Sequence, residues 1–395
     1  MVERWKGRTY MRKSLLVAAL LLITSSLALA QVKIGINLEL SGRFAAIGNQ
    51  TLNGIKVAHL QTPEVLGQKV ELIICDDETS REGSIACAQR FVNEGVIGVL
   101  GAISSSMSIP AAEVLQDAGI IMISTSSTNP QTTQIGEFIF RMAYTDDFQG
   151  KLAAAYVVKD LGAKKIAIFR QIDDDYSYGL AGFFDETAKK LGAKTLIQDF
   201  VANTVDFTAQ LNNIRGFKPD AIYYSGFCAE GAPLLKQLRE QGFDQKVVGA
   251  DASDDPQCPE GAGAAFDGYT FTAFATPNLI PDPAAKKRAE EFKKKFFSVM
   301  KDAKPGDFNG FVLAGADSYN VLVAAIKAAG STDVKAVRDA LANMEHYPGV
   351  SGDITFKGTD GTPKDRTIGF YKYVVKSASD WKKDELFGKS TAEVQ

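Results

Sequence analysis

Histidine is nearly missing from this chain: His59 and His346 are the only two in 395 residues. A Ser-His-Asp triad or a histidine-rich zinc site therefore has little material. Cysteine is scarce as well, and none of the four (Cys75, Cys87, Cys228, Cys258) is spaced as CxxC. No GxSxG elbow and no P-loop occur, which removes common signatures of acyl and phosphoryl chemistry. The stretch GAGAAF at 261–266 lacks the last glycine of a dinucleotide fingerprint and does not join a strand to a helix in the required order. Charge is balanced, with 44 Lys+Arg against 47 Asp+Glu and a net charge of −3. Without a basic stripe, nucleic acid is not an expected partner. The acidic clusters Asp76-Asp77-Glu78, Asp173-Asp174-Asp175 and Asp254-Asp255 lack EF-hand spacing and read as solvated loop ends. No metal, no cofactor and no catalysis are expected.

Long apolar runs are confined to the N-terminus. Arg12 and Lys13 precede an apolar stretch from Leu15 to Leu22, continued by Ile23 and Leu27. Ala28-Leu29-Ala30 then reads as a small-residue cleavage site, so residues 1–30 form a secretory signal peptide cut before Gln31. Thr24, Ser25 and Ser26 interrupt the run, which falls short of the roughly 20 apolar residues of a membrane span. Residue 31 is Gln and not Cys, so a lipid anchor has no thiol to use. Residues 1–10 do not fit a signal peptide, and translation is expected to start at Met11. No later segment reads as long and apolar enough to cross a bilayer. The mature protein should be soluble and lie outside the cytoplasmic membrane. There, four cysteines can form two disulfides, with three possible connectivities.

Short β-branched runs recur in what remains. Val32–Leu38, Val70–Cys75, Val96–Leu100 and Ile120–Ile123 read as strands, with helical stretches near 50–60, 81–94 and 107–118. The rhythm restarts after about residue 145, with strands at Lys165–Phe169, Thr195–Phe200, Ala221–Tyr224 and Lys246–Val248. Helices near 147–160, 178–191, 206–215 and 230–241 alternate with them. Helices at about 284–300, 308–329 and 333–343 follow, and a last strand at Thr367–Val375. Strands alternating with helices mean βαβ units with right-handed crossovers. Two doubly wound parallel sheets in succession are expected, a class of α/β fold.

Ligands in such folds sit outside the carboxyl ends of the strands. In the first half those ends read Leu40-Ser41-Gly42-Arg43-Phe44, Ser104-Ser105-Ser106 and Ser124-Thr125-Ser126-Ser127-Thr128. In the second half they read Asp173 to Tyr178, Gly226-Phe227-Cys228 and Asp251. The serines could be plain helix caps. Hydroxyls and free N–H groups at a helix start also suit a carboxylate, while aromatic rings with an acid suit an ammonium group and hydrocarbon. Facing each other, the two sets complement an α-amino acid zwitterion.

Six stretches in order carry a family likeness: LELSGRFAAIG (38–48), GAISSSMSIPA (101–111), GIIMISTSST (119–128), DDDYSYGLA (173–181), DAIYYSGFCAEGAPLLKQLREQG (220–242) and VVGADASDDP (247–256). Across the mature chain the sequence resembles the exported substrate-binding proteins of branched-chain amino-acid ABC transporters, the Leu/Ile/Val-binding type. The resemblance implies two α/β lobes joined by three crossovers, the type I periplasmic binding protein clamshell, and delivery of an aliphatic amino acid to a membrane permease by a monomer. It implies one lobe from 31–145 with 275–362, and another from 146–274 with 363–395.

Residue by residue, the resemblance implies that Ser104, with Ser105 beside it, meets the α-carboxylate. Ser126 contributes backbone contacts, and Thr128 holds both carboxylate and amine. Tyr176 closes over the ligand, Phe227 keeps a family tyrosine's ring without its hydroxyl, and Asp251 pairs with the α-ammonium. Arg43 stands where Pro is common, Ile47 where an aromatic lines the side-chain pocket, and Thr125 where Pro is common. With the lobes so placed, each disulfide should close within one lobe, as Cys75–Cys87 and Cys228–Cys258. A sensor for an amide or urea-type ligand on the same fold is the alternative, with a secreted enzyme behind it.

Overall fold

The computed structural model describes residues 31–391, so the expected signal peptide, its cleavage after Ala30 and the start at Met11 lie outside the described residues. Six strands form the first sheet: β1 (Val32–Leu38), β2 (Glu64–Val65), β3 (Gln68–Asp76), β4 (Gly98–Gly101), β5 (Ile121–Ser124) and β6 (Ile139–Arg141). Their order is β2-β3-β1-β4-β5-β6, parallel except for β2. The VKIGINL of β1 is almost wholly buried, as a parallel strand covered by helices on both faces must be.

The second sheet begins with β7 (Lys165–Gln171), β8 (Lys194–Phe200), β9 (Ala221–Ser225), β10 (Lys246–Gly249) and β11 (Thr270–Phe274), all parallel. A small hairpin, β12 (Tyr347–Gly349) with β13 (Gly352–Ile354), stands apart. β14 (Thr367–Ser377) and β15 (Asp380–Ser390) then complete the second sheet antiparallel, in the order β15-β14-β11-β10-β9-β7-β8.

Thr367–Val375 is therefore not the last strand. β15 follows it and pairs along its length. Its sequence, DWKKDELFGKS, hides the period of two because it is an edge strand, half-exposed and rich in charge, which is how edges are kept from pairing with other chains.

After β11 the chain returns to the first sheet's core with the helices Pro283–Val299, Gly310–Ala329 and Val334–Ala342. With the passages after β6 and before β14, the two bodies are joined three times. Gly310–Ala329 corrects a second expectation. Among the described residues it alone is long and apolar enough to cross a membrane; here it is a core helix packed on Ala45–Gln61. Near its middle sits the buried Asp317. Its carboxylate accepts the Val350 and Ser351 N–H groups at 2.8 and 2.7 Å and the Ser351 hydroxyl at 2.5 Å.

Both disulfides close in the expected pairs. Cys75–Cys87 ties the end of β3 to the helix Arg81–Glu94, and Cys228–Cys258 ties the helix Cys228–Glu240 to Gln257–Ala262. In each sheet the strand order reverses at one place, between β1 and β4 in the first and between β7 and β9 in the second. A crevice opens at such a reversal.

Candidate ligand-binding cleft

β4 ends at Gly101, whose φ of +123° suits glycine alone; a Cβ there would stand 1.7 Å from the Asn37 carbonyl oxygen. The chain then turns through Ile103 and Ser104 into the helix Ser105–Asp117. Ser104 occupies the N-cap position, yet its side chain caps nothing. Its hydroxyl and N–H instead donate to Glu39 Oε1 at 2.8 and 2.9 Å, and the Ile103 N–H donates to Oε2 at 3.0 Å.

Glu39, just past β1, is fully buried, and burial raises its proton affinity while these donors oppose the rise. Nearby Asp77, also buried, is pushed up to about 9 by burial and then by the charge of Glu39. Three hydrogen bonds converge on Glu39, whereas one Asp77 oxygen has no partner. The charge therefore rests on Glu39 and the proton on Asp77.

Ser105 Oγ accepts from the Ser127 hydroxyl at 3.0 Å and from the Asn129 N–H at 3.2 Å, which leaves its own hydrogen to give. Ser126 donates to the Ile103 carbonyl at 3.3 Å. The buried Thr128 hydroxyl has no hydrogen-bond partner. The first N–H groups of the helix, at Ser105 and Ser106, have no intrahelical acceptor, and the helix dipole makes them attractive to an anion.

Across the crevice, Asp251 follows β10. The Gln149 amide and the Tyr176 hydroxyl both donate to its Oδ1, each at 2.7 Å. Burial pushes its carboxyl up to about 6, against the pull of those two bonds. The Tyr176 ring lies 5.6 Å from Phe227, and Phe227 lies 4.0 Å from Phe44 of the first body. Arg43 covers both phenylalanine rings, at 4.5 and 5.4 Å, and reaches the buried Glu230 at 3.4 Å. Arg81–Asp175 at 2.8 Å and the Ser106 hydroxyl on Asp174 at 2.7 Å bridge the same seam. The two bodies are closed on each other.

Between them lies a small cavity, with about 30 Å³ open to a water-sized sphere. Its polar wall is Ser104, Ser105, Ser126, Thr128, Tyr176 and Asp251; its apolar wall is Phe44, Ile47, Ile103, Phe227, Ala252 and Phe311. All eight binding residues singled out in the sequence, Ile47 included, thus line one cavity. Phe311 could not be found by reading strand ends, because it arrives on a core helix. Glu39 and Asp146 were missed because a buried carboxylate behind a wall has no sequence signature. The acidic clusters are not all solvated loop ends: Asp77, Asp174, Asp254 and Asp255 are buried. Asp174, for example, caps the helix Asp175–Lys190 through the Ser177 N–H at 2.8 Å.

A family model for periplasmic binding proteins matches residues 31–378. The chain belongs to the periplasmic binding protein family. Such proteins capture solutes outside the cytoplasmic membrane and are not enzymes. This periplasmic binding protein is 34% identical over 319 residues to an amino acid binding protein of Pseudomonas aeruginosa, covering 78% of this chain and 82% of that one. A leucine binding protein, LivK of Thermotoga maritima, superposes with a TM-score of 0.84 at 31% identity, covering 92% of this chain and 99% of the other. The branched-chain amino acid transporter substrate binding protein LivJ of Streptococcus pneumoniae, solved with isoleucine, gives a TM-score of 0.79 at 25% identity, covering 90% and 100%.

Proposed function

We propose that this protein captures an aliphatic amino acid of the leucine, isoleucine and valine kind and, as a monomer, delivers it to the permease of an ABC transporter. The supporting observation is one cavity lined by an acid, by hydroxyl groups at a helix start and by apolar side chains. Asp251 takes the α-ammonium. The α-carboxylate rests on the Ser105 hydroxyl, the first N–H groups of the helix Ser105–Asp117 and the backbone near Ser126 and Thr128. Ser104 contributes less than its position suggests, because its hydrogen is already given to Glu39. Ile47, Ile103 and Phe311 offer the side chain no polar partner, which favours hydrocarbon. The names of the relatives point the same way. The moving lobes are 31–145 with 275–362, and 146–274 with 363–395.

Calorimetry on the mature chain tests this. At least one of leucine, isoleucine and valine should bind tightly, while leucinamide and N-acetyl-leucine bind poorly. Asp251→Ala leaves an ammonium buried and unpaired, at a cost on the order of 3–5 kcal/mol, so affinity should fall at least about a hundredfold. Ser104→Ala should cost only about 1 kcal/mol. Unchanged leucine binding by Asp251→Ala would sink the zwitterion reading.

A further inference from the structure

Asp146 begins the helix Asp146–Ala155, directly after Thr145 at the N-cap. It is fully buried, and neither carboxylate oxygen has a hydrogen-bond partner. The Arg141 cation nearby is engaged elsewhere, donating to the Ser127 and Pro130 carbonyls at 2.9 and 3.2 Å and to the Thr133 hydroxyl at 3.0 Å. The Asp146 N–H donates to the Thr128 carbonyl at 2.9 Å. This clamps the acid behind the one residue of the cavity wall whose hydroxyl is also unpartnered.

Burial and then the Asp251 charge raise the proton affinity of Asp146, with Asp174 adding to them and the nearby Thr128 hydroxyl and Arg141 opposing the rise. The phenols of Tyr144, Tyr176 and Tyr223 feel its charge from the other elements around it. Asp146 thus lies behind Thr128 and Asp251 shares its cavity, and among the described residues no ion pair involves either acid.

We propose that Asp146 is a positioning residue of the ammonium site: it ionises when the ligand's ammonium arrives and takes the Thr128 hydroxyl hydrogen, turning the Thr128 oxygen toward the ammonium. The inference rests on the amino-acid reading above. The balance is one proton. The Asp146 carboxyl releases it to bulk water, the Thr128 O–H donates to the carboxylate so formed, and an ammonium N–H donates to Thr128 Oγ1. A carboxylic acid without an amine cannot trigger the step and meets the charge of Asp251 instead. Selection for the amine therefore comes from two acids, one in the wall and one behind it.

Calorimetry with L-leucine at pH 7, in two buffers of different ionisation heat, reads the proton directly. Asp251, at about 6, is mostly ionised at that pH and releases only about a tenth of a proton. The wild-type chain should release close to one. Asp146→Asn should drop the release to about that tenth and weaken leucine about tenfold or more. Its binding of 4-methylpentanoate, the same skeleton without the amine, should be no weaker than wild type. A wild-type release near a tenth overturns the proposal whether or not the variant folds, and so does an equal weakening of both ligands in Asp146→Asn. A wild-type chain that binds none of leucine, isoleucine and valine overturns the amino-acid reading itself, and the proposal with it.

Discussion

Asp251, proposed above to take the ammonium, costs the ligand-free protein stability. Its carboxyl is raised by burial to about 6, so the folded chain holds that proton more tightly than the unfolded chain does. The stabilisation from the protonated form is complete below the usual carboxylate range and is lost as pH rises through about 6. At neutral pH the ionised, ligand-free group costs the fold on the order of 2–3 kcal/mol. Asp251→Asn keeps an oxygen for the Gln149 and Tyr176 donors and carries no charge, so its ligand-free melting temperature at pH 7 should exceed that of wild type, while leucine affinity collapses. Binding has the complementary pH profile. An ammonium needs ionised acids, so leucine affinity should rise by up to about tenfold per unit through pH 7, from the proton that Asp146 gives up, and more steeply below pH 6, where Asp251 adds its own. Scanning calorimetry and a titration series across pH 4.5–8 read the two effects. Asp251 itself was legible in the sequence, since it ends a strand. Its hydrogen-bond partner Gln149 was not, because it lies on a helix about a hundred residues away that only the tertiary fold brings near.

At the scale of elements, strands were legible wherever burial on both faces demands unbroken β-branched residues, as in β1, β7 and β9. They were missed where such residues are few: β6 has three residues, β11 (TFTAF) is fully buried but has threonines as its only β-branched residues, and β15 is a charged edge. The serine-rich turn after β4 was legible as a site but not as a mechanism. Capping and ligand binding looked like the two choices, and the structure adds a third, the tie from Ser104 to Glu39. That turn depends on Gly101. A Cβ there collides with Asn37 backbone in a conformation side chains rarely adopt, so Gly101→Ala must move β4 or the turn. A destabilisation of at least about 2 kcal/mol is expected, together with loss of leucine binding, by urea titration and calorimetry. An alanine variant with wild-type midpoint and affinity would show that the turn tolerates the side chain.

For the whole molecule, the question is what holds two bodies together at a seam that ligand must cross. A ligand shifts the balance toward closure only by its differential affinity for the closed form. Scattering should therefore show a smaller radius of gyration at saturating leucine, with slower hydrogen exchange near 145, 275 and 362. Arg43 adds a latch independent of the ligand, lying on Phe44 and Phe227 and reaching the buried Glu230. Arg43→Ala removes a charged contact and a ring contact that span the two bodies. Leucine should then leave about tenfold faster, with little change in association rate, by stopped-flow fluorescence. Equal release rates would mean that the latch adds nothing to closure. No reading of Arg43 by itself could have found this, since its partner lies 187 positions along the chain.

The buried carboxylate of Asp317 has an expected consequence before the protein ever folds. An exported chain is threaded unfolded past lipid, and a twenty-residue, mostly apolar helix such as Gly310–Ala329 is a stop-transfer hazard at that moment. A carboxylate near the centre of such a segment disfavours lateral escape into the bilayer by about 2.5–3.5 kcal/mol. The residue that anchors Val350 and Ser351 is therefore expected also to keep a translocon from taking the core helix for an anchor. Asp317→Leu in the full-length precursor should leave a measurable share of the chain lodged in the membrane fraction, with its last sixty-odd residues digested by protease from the cytoplasmic side only.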